Sequence, residues 1–129
     1  MIVVDSAAVV DALTGVDGTD DLRASLTTED LHAPALLGYE VVSALRGLTL
    51  GGHVTAARTR DAIKDFEDLP PHRWPSSAPL RLRAFSLFDP LTAYDAAYVA
   101  LAEALDCPMV TRDARLARAG GHDVEIRLY

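Results

Sequence analysis

The sequence predicts an α/β fold organised around a parallel sheet, and two observations carry that reading. Very short, continuously apolar runs such as Ile2-Val3-Val4 and Met109-Val110 have the character of strands buried on both faces. Between them lie longer stretches whose apolar residues recur at helical spacing, so strand and helix alternate along the chain. The 129 residues, half of them apolar, show no repeat, linker or low-complexity tract and fit one domain, 1–129, with one core.

Ile2-Val3-Val4 opens as a buried strand and passes at once into a helix from about Ser6 to Leu13. Gly15 and Gly18 break the chain, and Thr19 to about Ser25 forms a second, shorter helix. Leu31-His32-Ala33 reads as a brief strand before Pro34, a residue type favoured at the first position of a helix. From Ala35 to Leu48 the residues Leu37, Val41, Ala44, Leu45 and Leu48 keep helical period, and Gly51-Gly52 ends it. Val54 to about Leu69 is a second long, more polar helix, antiparallel to the first. Pro70-Pro71 and Pro75 frame His72-Arg73-Trp74, a short edge strand or loop. Ser77 to Leu87 is helical by pattern, and Thr92 opens a further helix to about Leu105, with Tyr94, Tyr98, Leu101 and Leu105 on one core-facing stripe. Pro108 to Thr111 is another buried strand. Ala114 to Ala119 is a short helix stopped by Gly120-Gly121, and Glu125 to Leu128 is a closing strand.

A net charge of −7 and a pI near 4.9 speak, at face value, against nucleic acid. The charge is uneven, however. Residues 1–68 hold five basic and twelve acidic side chains, whereas residues 69–129 hold seven of each. Arg73, Arg81 and Arg83 lie in a stretch free of acids, and Arg112, Arg115 and Arg118 surround Asp113. Every basic residue but Lys64 is arginine, which suits phosphate through its planar fork and also follows from a GC-rich genome. A lone Cys107 excludes an internal disulfide, and the lack of Cys-x-x-Cys spacing argues against structural zinc. The start MIVVDSAAVV lacks the basic region of a signal peptide, and no apolar run approaches the ~20 residues of a membrane span. The expected location is the cytoplasm, with no membrane partner. Nucleotide loops and hydrolase elbows find no support, since no G-x-x-x-x-G-K, G-x-G-x-x-G or G-x-S-x-G occurs.

Four acids stand in positions that invite chemistry. Asp5 follows the first strand and Asp113 follows a later one, and ligands gather at the C-terminal ends of parallel strands. Each also has an ordinary reading as a helix N-cap. Glu40 has no other charge within five residues on either side, and sits about 85° from the centre of its helix's apolar stripe. It is either a half-exposed boundary residue or an acid that needs a cation. Asp95 lies at the edge of another apolar stripe and, in Thr92-x-x-Asp95, also fits a capping box. If the strand ends and helix starts converge, four carboxylates meet in one crevice. Such a cluster repels itself unless a cation neutralises it, and an oxygen-only donor set suits Mg²⁺ or Mn²⁺ rather than zinc. Carboxylate-held Mg²⁺ with open positions serves phosphoryl chemistry.

These segments resemble the PIN-domain family, and most closely its VapC-type toxin ribonucleases of type II toxin–antitoxin pairs. The matching stretches are IVVDSAAVVDAL at 2–13, PALLGYEVVSALR at 34–46, LTAYDAAYVALAEAL at 91–105 and MVTRDARLA at 109–117. The resemblance implies a three-layer α/β/α fold with a short, mostly parallel sheet. It also implies a metal-holding quartet carried onto Asp5, Glu40, Asp95 and Asp113, with Ser6 and Thr111 as the small hydroxyls beside it. It further implies homodimers and silencing by a VapB-like antitoxin whose C-terminal segment lies across the active-site groove.

The expected activity is therefore Mg²⁺-dependent endoribonuclease, with Mn²⁺ as substitute, in which Asp5, Asp95 and Asp113 hold the ion. Glu40 either completes the metal shell or orients the attacking water. Scattered His32, His53, His72 and His122 form no catalytic pair. Arg112 and Arg115 either hold the RNA backbone or form a solvated face. The alternative is an inactive PIN-like scaffold module. Other phosphate-handling α/β readings fail because residue 7 is alanine, where a haloacid-dehalogenase pattern needs aspartate, and because no lysine follows a late strand. Trp74 covers the sheet edge or joins an interface, and the long helices around 35–68 are the expected dimer or antitoxin surface.

Overall fold

Ile2, Val3 and Val4 are completely buried, and the strand they form, β1 (Ile2–Val4), is the middle of a five-stranded sheet. The computed structural model describes residues 1–69, 71–87, 89 and 91–129. Pro70, part of the expected proline frame, lies outside the described residues.

From β1 the chain runs through α1 (Ser6–Thr14) and α2 (Asp20–Thr28) to β2 (Leu31–Pro34). Helices α3 (Leu37–Leu50) and α4 (Ala56–Asp68), which pack on each other, lead to β3 (His72–Trp74). Then α5 (Ala78–Ser86) and α6 (Ala93–Leu105) return the chain to β4 (Met109–Thr111), and α7 (Ala114–Ala117) connects to β5 (Ile126–Leu128). The sheet order is β3-β2-β1-β4-β5, and every pairing is parallel. Val3 is in register with His32 on one side and Met109 on the other. Strand order therefore reverses between β1 and β4. In open parallel sheets that reversal opens a crevice at the strands' C-terminal ends.

Helices flank the sheet as the three-layer expectation requires. On one side α6 packs against β1, β2 and β4 with α5 alongside, and on the other α1 gathers α2, α3 and α4. Arg83 fastens α5 to α6 through a two-pronged bridge to Glu103 at 2.6 and 2.7 Å. Along α3, Leu37, Val41 and Leu45 are buried as their spacing demands, while Ala44 faces solvent.

Several boundaries differ from the sequence reading for local reasons. Pro34 ends β2 rather than starting α3. The proline is in register with Trp74, and the next amide, Ala35, donates to the Trp74 carbonyl at 2.8 Å, so the extended conformation persists and the helix begins at Leu37. α2 continues to Thr28, where the Thr27 and Thr28 hydroxyls bond back to the Ala24 carbonyl. α7 is a single turn and stops at Ala117. Tyr98 is buried, but Tyr94, one turn earlier, is 65% exposed over an apolar groove that it shares with Pro34, Trp74, Leu80 and Ala97. Residues 72–74 resolve as a strand at the sheet edge. There Trp74 donates its indole N–H to His32 Nδ1 at 3.0 Å, and His72 stacks on the His32 ring.

Two leucines of α3 measure how much of this stability is core packing. Leu45→Ala removes a completely buried side chain and should cost about 2–5 kcal/mol in urea denaturation. Leu50→Ala, at a mostly exposed site on the same helix, should stay within about 0.5 kcal/mol of the parent chain.

Candidate active site

The backbone turn that ends β1 gives Asp5 two tasks. Its Oδ1 accepts from the Ala8 amide at 2.8 Å and caps α1, while its Oδ2 accepts from the Thr111 hydroxyl at 2.5 Å. Thr111 ends β4, the neighbour of β1 across the switch point, and its Oγ1 in turn accepts from the Asp113 amide at 2.9 Å. A continuous line of hydrogen bonds thus runs from Asp113 through Thr111 to Asp5.

Asp113 repeats the capping arrangement at the start of α7. Its Oδ1 accepts from the amides of Arg115 and Leu116 at 2.8 and 3.3 Å, which leaves Oδ2 pointing elsewhere. Asp95 sits in the first turn of α6, where its own amide is capped by the Thr92 hydroxyl at 3.1 Å. The two free oxygens, Asp95 Oδ2 and Asp113 Oδ2, share one partner. Arg115 Nη2 lies 3.0 Å from the first and 3.3 Å from the second. Glu40 comes from the first turn of α3, accepts the Tyr98 hydroxyl at 2.5 Å, and receives a second hydrogen bond from Ser6.

Neighbouring acids act on Asp5 and Glu40. The Asp5 carboxyl is pushed up to about 6, by burial first and then by Asp113 and Asp95, against the lowering effect of Thr111 and Ala8. Glu40 is raised by burial and then by Asp95, opposed by the Tyr98 and Ser6 hydroxyls. Burial also works upward on Asp113, but the Arg115 and Leu116 amides and the Arg115 guanidinium together hold it below the ordinary range. Tyr98 is raised by burial and by Glu40, so its hydroxyl stays a donor.

The residues expected from the sequence therefore gather at the switch point: Asp5, Glu40, Asp95 and Asp113 with Ser6 and Thr111. Arg115 joins them. Arg112 does not, since its Nε pairs with Asp11 of α1 at 3.0 Å. Tyr98 is the contributor that sequence reasoning assigned only to the core. The signal was present, because a tyrosine on a buried stripe needs a partner for its hydroxyl. Among the described residues no group of three or more His, Cys, Asp or Glu stands ready-made in metal-holding geometry. The donor set is nevertheless oxygen-only and mutually repulsive, and it already holds a cationic side chain, which fits a hard divalent ion.

The raised Asp5 has a pH consequence in chelator-treated protein. The folded chain binds this proton more tightly than the unfolded chain, so the contribution is favourable below pH ~4 and is lost as pH rises through about 6. The span is about 3 kcal/mol. Asp5→Asn, which keeps an oxygen for the Ala8 amide, should flatten this decline when unfolding free energies are compared at pH 4.5 and 7.5. An unchanged slope would show that Asp5 is not the titrating group.

A PIN domain family model matches residues 2–122. Ribonuclease VapC1 of Mycobacterium tuberculosis is 42% identical over 127 residues, covering 98% of this chain and 96% of the relative. Ribonuclease VapC12 of the same organism is 37% identical over 128 residues, covering 99% and 98%. Among solved structures, VapBC2 from Rickettsia felis, crystallised on a DNA fragment from its promoter, aligns with a TM-score of 0.65 at 12% identity, covering 98% of both chains. The chain belongs to the PIN-domain family and, within it, to the VapC group.

Proposed function

We propose that the chain is an endoribonuclease that hydrolyses RNA phosphodiesters with Mg²⁺, replaceable by Mn²⁺, as the toxin of a toxin–antitoxin pair. The observation that carries this reading is the meeting of Asp5, Glu40, Asp95 and Asp113, from four separate segments, at the switch point of a parallel sheet. RNA as substrate is supported by relatives named as ribonucleases.

Asp5, Asp95 and Asp113 would hold the ion, directly or through water. A divalent ion bound there supplies Lewis acidity toward a phosphate oxygen and toward water. Glu40 stands apart on α3, and burial raises its basicity, so it is the group suited to take the proton of the attacking water. Tyr98 and Ser6 are positioning residues that aim the Glu40 carboxylate. Thr111 fixes Asp5 in the same sense. Water attacks phosphorus, the bond to the 3′ oxygen breaks, and the products are a 5′-phosphate and a 3′-hydroxyl. No histidine is required, and His32 is already engaged by Asp30 and Trp74. Arg115 at the rim is the cation placed to meet the RNA backbone, whereas Arg112, expected in the same role, is paired with Asp11.

An antitoxin partner is supported by the structural neighbours, which include toxin–antitoxin complexes from Klebsiella pneumoniae and Rickettsia felis. Self-association is supported by an apolar groove of about 380 Å³ that the exposed Tyr94 and Trp74 line. The groove is lined from α5, α6 and the segment just before α3, and Tyr39 and Leu50 on α3, one of the two long helices expected as an interface, are exposed as well. Among the described residues no helix is long and apolar enough to cross a membrane.

With purified protein and a labelled RNA, Asp5→Asn and Asp95→Asn should lower Mg²⁺-dependent cleavage to the level seen with chelator. Glu40→Gln should lower the rate by about 10²–10⁴-fold while metal uptake persists. Cleavage retained in the asparagine variants overturns the assignment. Metal uptake without cleavage in the parent chain makes it a binding module.

A further inference from the structure

One guanidinium nitrogen joins two crevice oxygens, the Asp113 oxygen that capping leaves over and an oxygen of the uncapped Asp95 carboxylate. Arg115 Nη2 bridges Asp95 on α6 and Asp113 before α7, although these carboxylates come from segments with no other side-chain bond between them among the described residues. We propose that Arg115 is a built-in counter-ion of the acidic crevice, holding Asp95 and Asp113 together in the metal-free chain and yielding those oxygens when a divalent cation enters. This rests on the metal reading given above.

Three features support the exchange. The first is position. Asp113 caps α7, so Arg115 lies two residues into that turn and can fold back on the carboxylate that starts it. The second is exposure. The Arg115 side chain is 59% accessible and approaches from the solvent side, so it can leave without uncovering core. By contrast, Arg83 and Arg112 are tied to Glu103 and Asp11 away from the crevice. The third is competition for the same atoms. Asp5 and Glu40 spend oxygens on hydroxyl donors, whereas Asp95 Oδ2 and Asp113 Oδ2 have only Arg115 as their side-chain partner among the described residues. A cation of higher charge density needs those two oxygens, and linkage makes the antagonism reciprocal.

The test measures Mn²⁺ affinity by calorimetry in the full chain, without RNA, so that it is read independently of cleavage. Arg115→Gln should bind Mn²⁺ about five- to tenfold more tightly than the parent. Arg115→Lys, which keeps the charge without the fork, should fall between them. Arg118→Gln, which removes the same charge nearby without touching the crevice oxygens, should leave affinity near the parent value. In parallel, Mg²⁺ should shift the Arg115 Nε–Hε resonance in the parent and should not do so in Asp95→Asn. Equal affinity in Arg115→Gln and the parent, or an equal gain in Arg118→Gln, overturns the counter-ion role. Absence of Mn²⁺ binding in every variant overturns the metal reading itself, and this proposal with it.

Discussion

A carboxylate buried at the end of the central strand is the constraint on which the rest depends. Asp5 is 4% exposed, and it is the one buried carboxylate among the described residues. Burying such a group is costly unless its oxygens are bonded, and here each oxygen has a fixed donor. Those donors define the architecture around it. The Ala8 amide requires α1 to begin immediately after β1, and the Thr111 hydroxyl requires β4 to lie beside β1 in its observed register. The Thr111–Asp113 bond then sets where α7 can start. Satisfying one acid therefore organises both sides of the switch point.

This bonding pattern dissolves an opposition between two readings of the same residues. Asp5 and Asp113 look like helix caps, and they are caps; the Thr92–Asp95 motif is likewise a cap at the head of α6. For Asp5 and Asp113 capping does not compete with a functional role, because it is what places their carboxylates. A cap uses one oxygen inward, fixes the side-chain rotamer, and leaves the second oxygen aimed past the strand end. In a parallel sheet every strand ends on the same rim, so caps from different strands converge. Glu40 and Asp95 differ, because neither carboxylate caps a helix: Tyr98 and Ser6 fix Glu40, and Arg115 bonds Asp95.

The alternation of short apolar runs, bounded by turn residues, with longer stretches of helical period made the fold legible, because strands buried on both faces need no polar alternation. What the sequence obscured lay where tertiary contacts override local preference. Pro34 favours a helix start, yet the Ala35–Trp74 hydrogen bond keeps it extended beside β3. Tyr94 shares a stripe with Tyr98, but the stripe outruns the sheet at the first turn of α6, so the same spacing that buries one ring exposes the other. The acids could be named from the sequence, whereas the pairing of Arg115 with two of them could not. Spacing reveals the cap at Asp113, but only the fold brings Asp95 to the other side of the guanidinium.

The acidity of the chain takes on a different meaning in this light. Several arginines that might have offered a basic surface are spent internally: Arg83 on Glu103, Arg112 on Asp11, Arg115 on Asp95 and Asp113, and Arg127 on Glu125. What faces the crevice is four carboxylates against one guanidinium, and Asp95 acts upward on both Asp5 and Glu40 after the larger effect of burial. A polyanion is repelled by such a crevice until more positive charge enters, and a divalent ion carries twice the charge of Arg115 at higher density. A low pI and an RNA substrate are thus compatible on one condition. The surface need not attract phosphate everywhere, provided that the site acquires its attraction only when loaded.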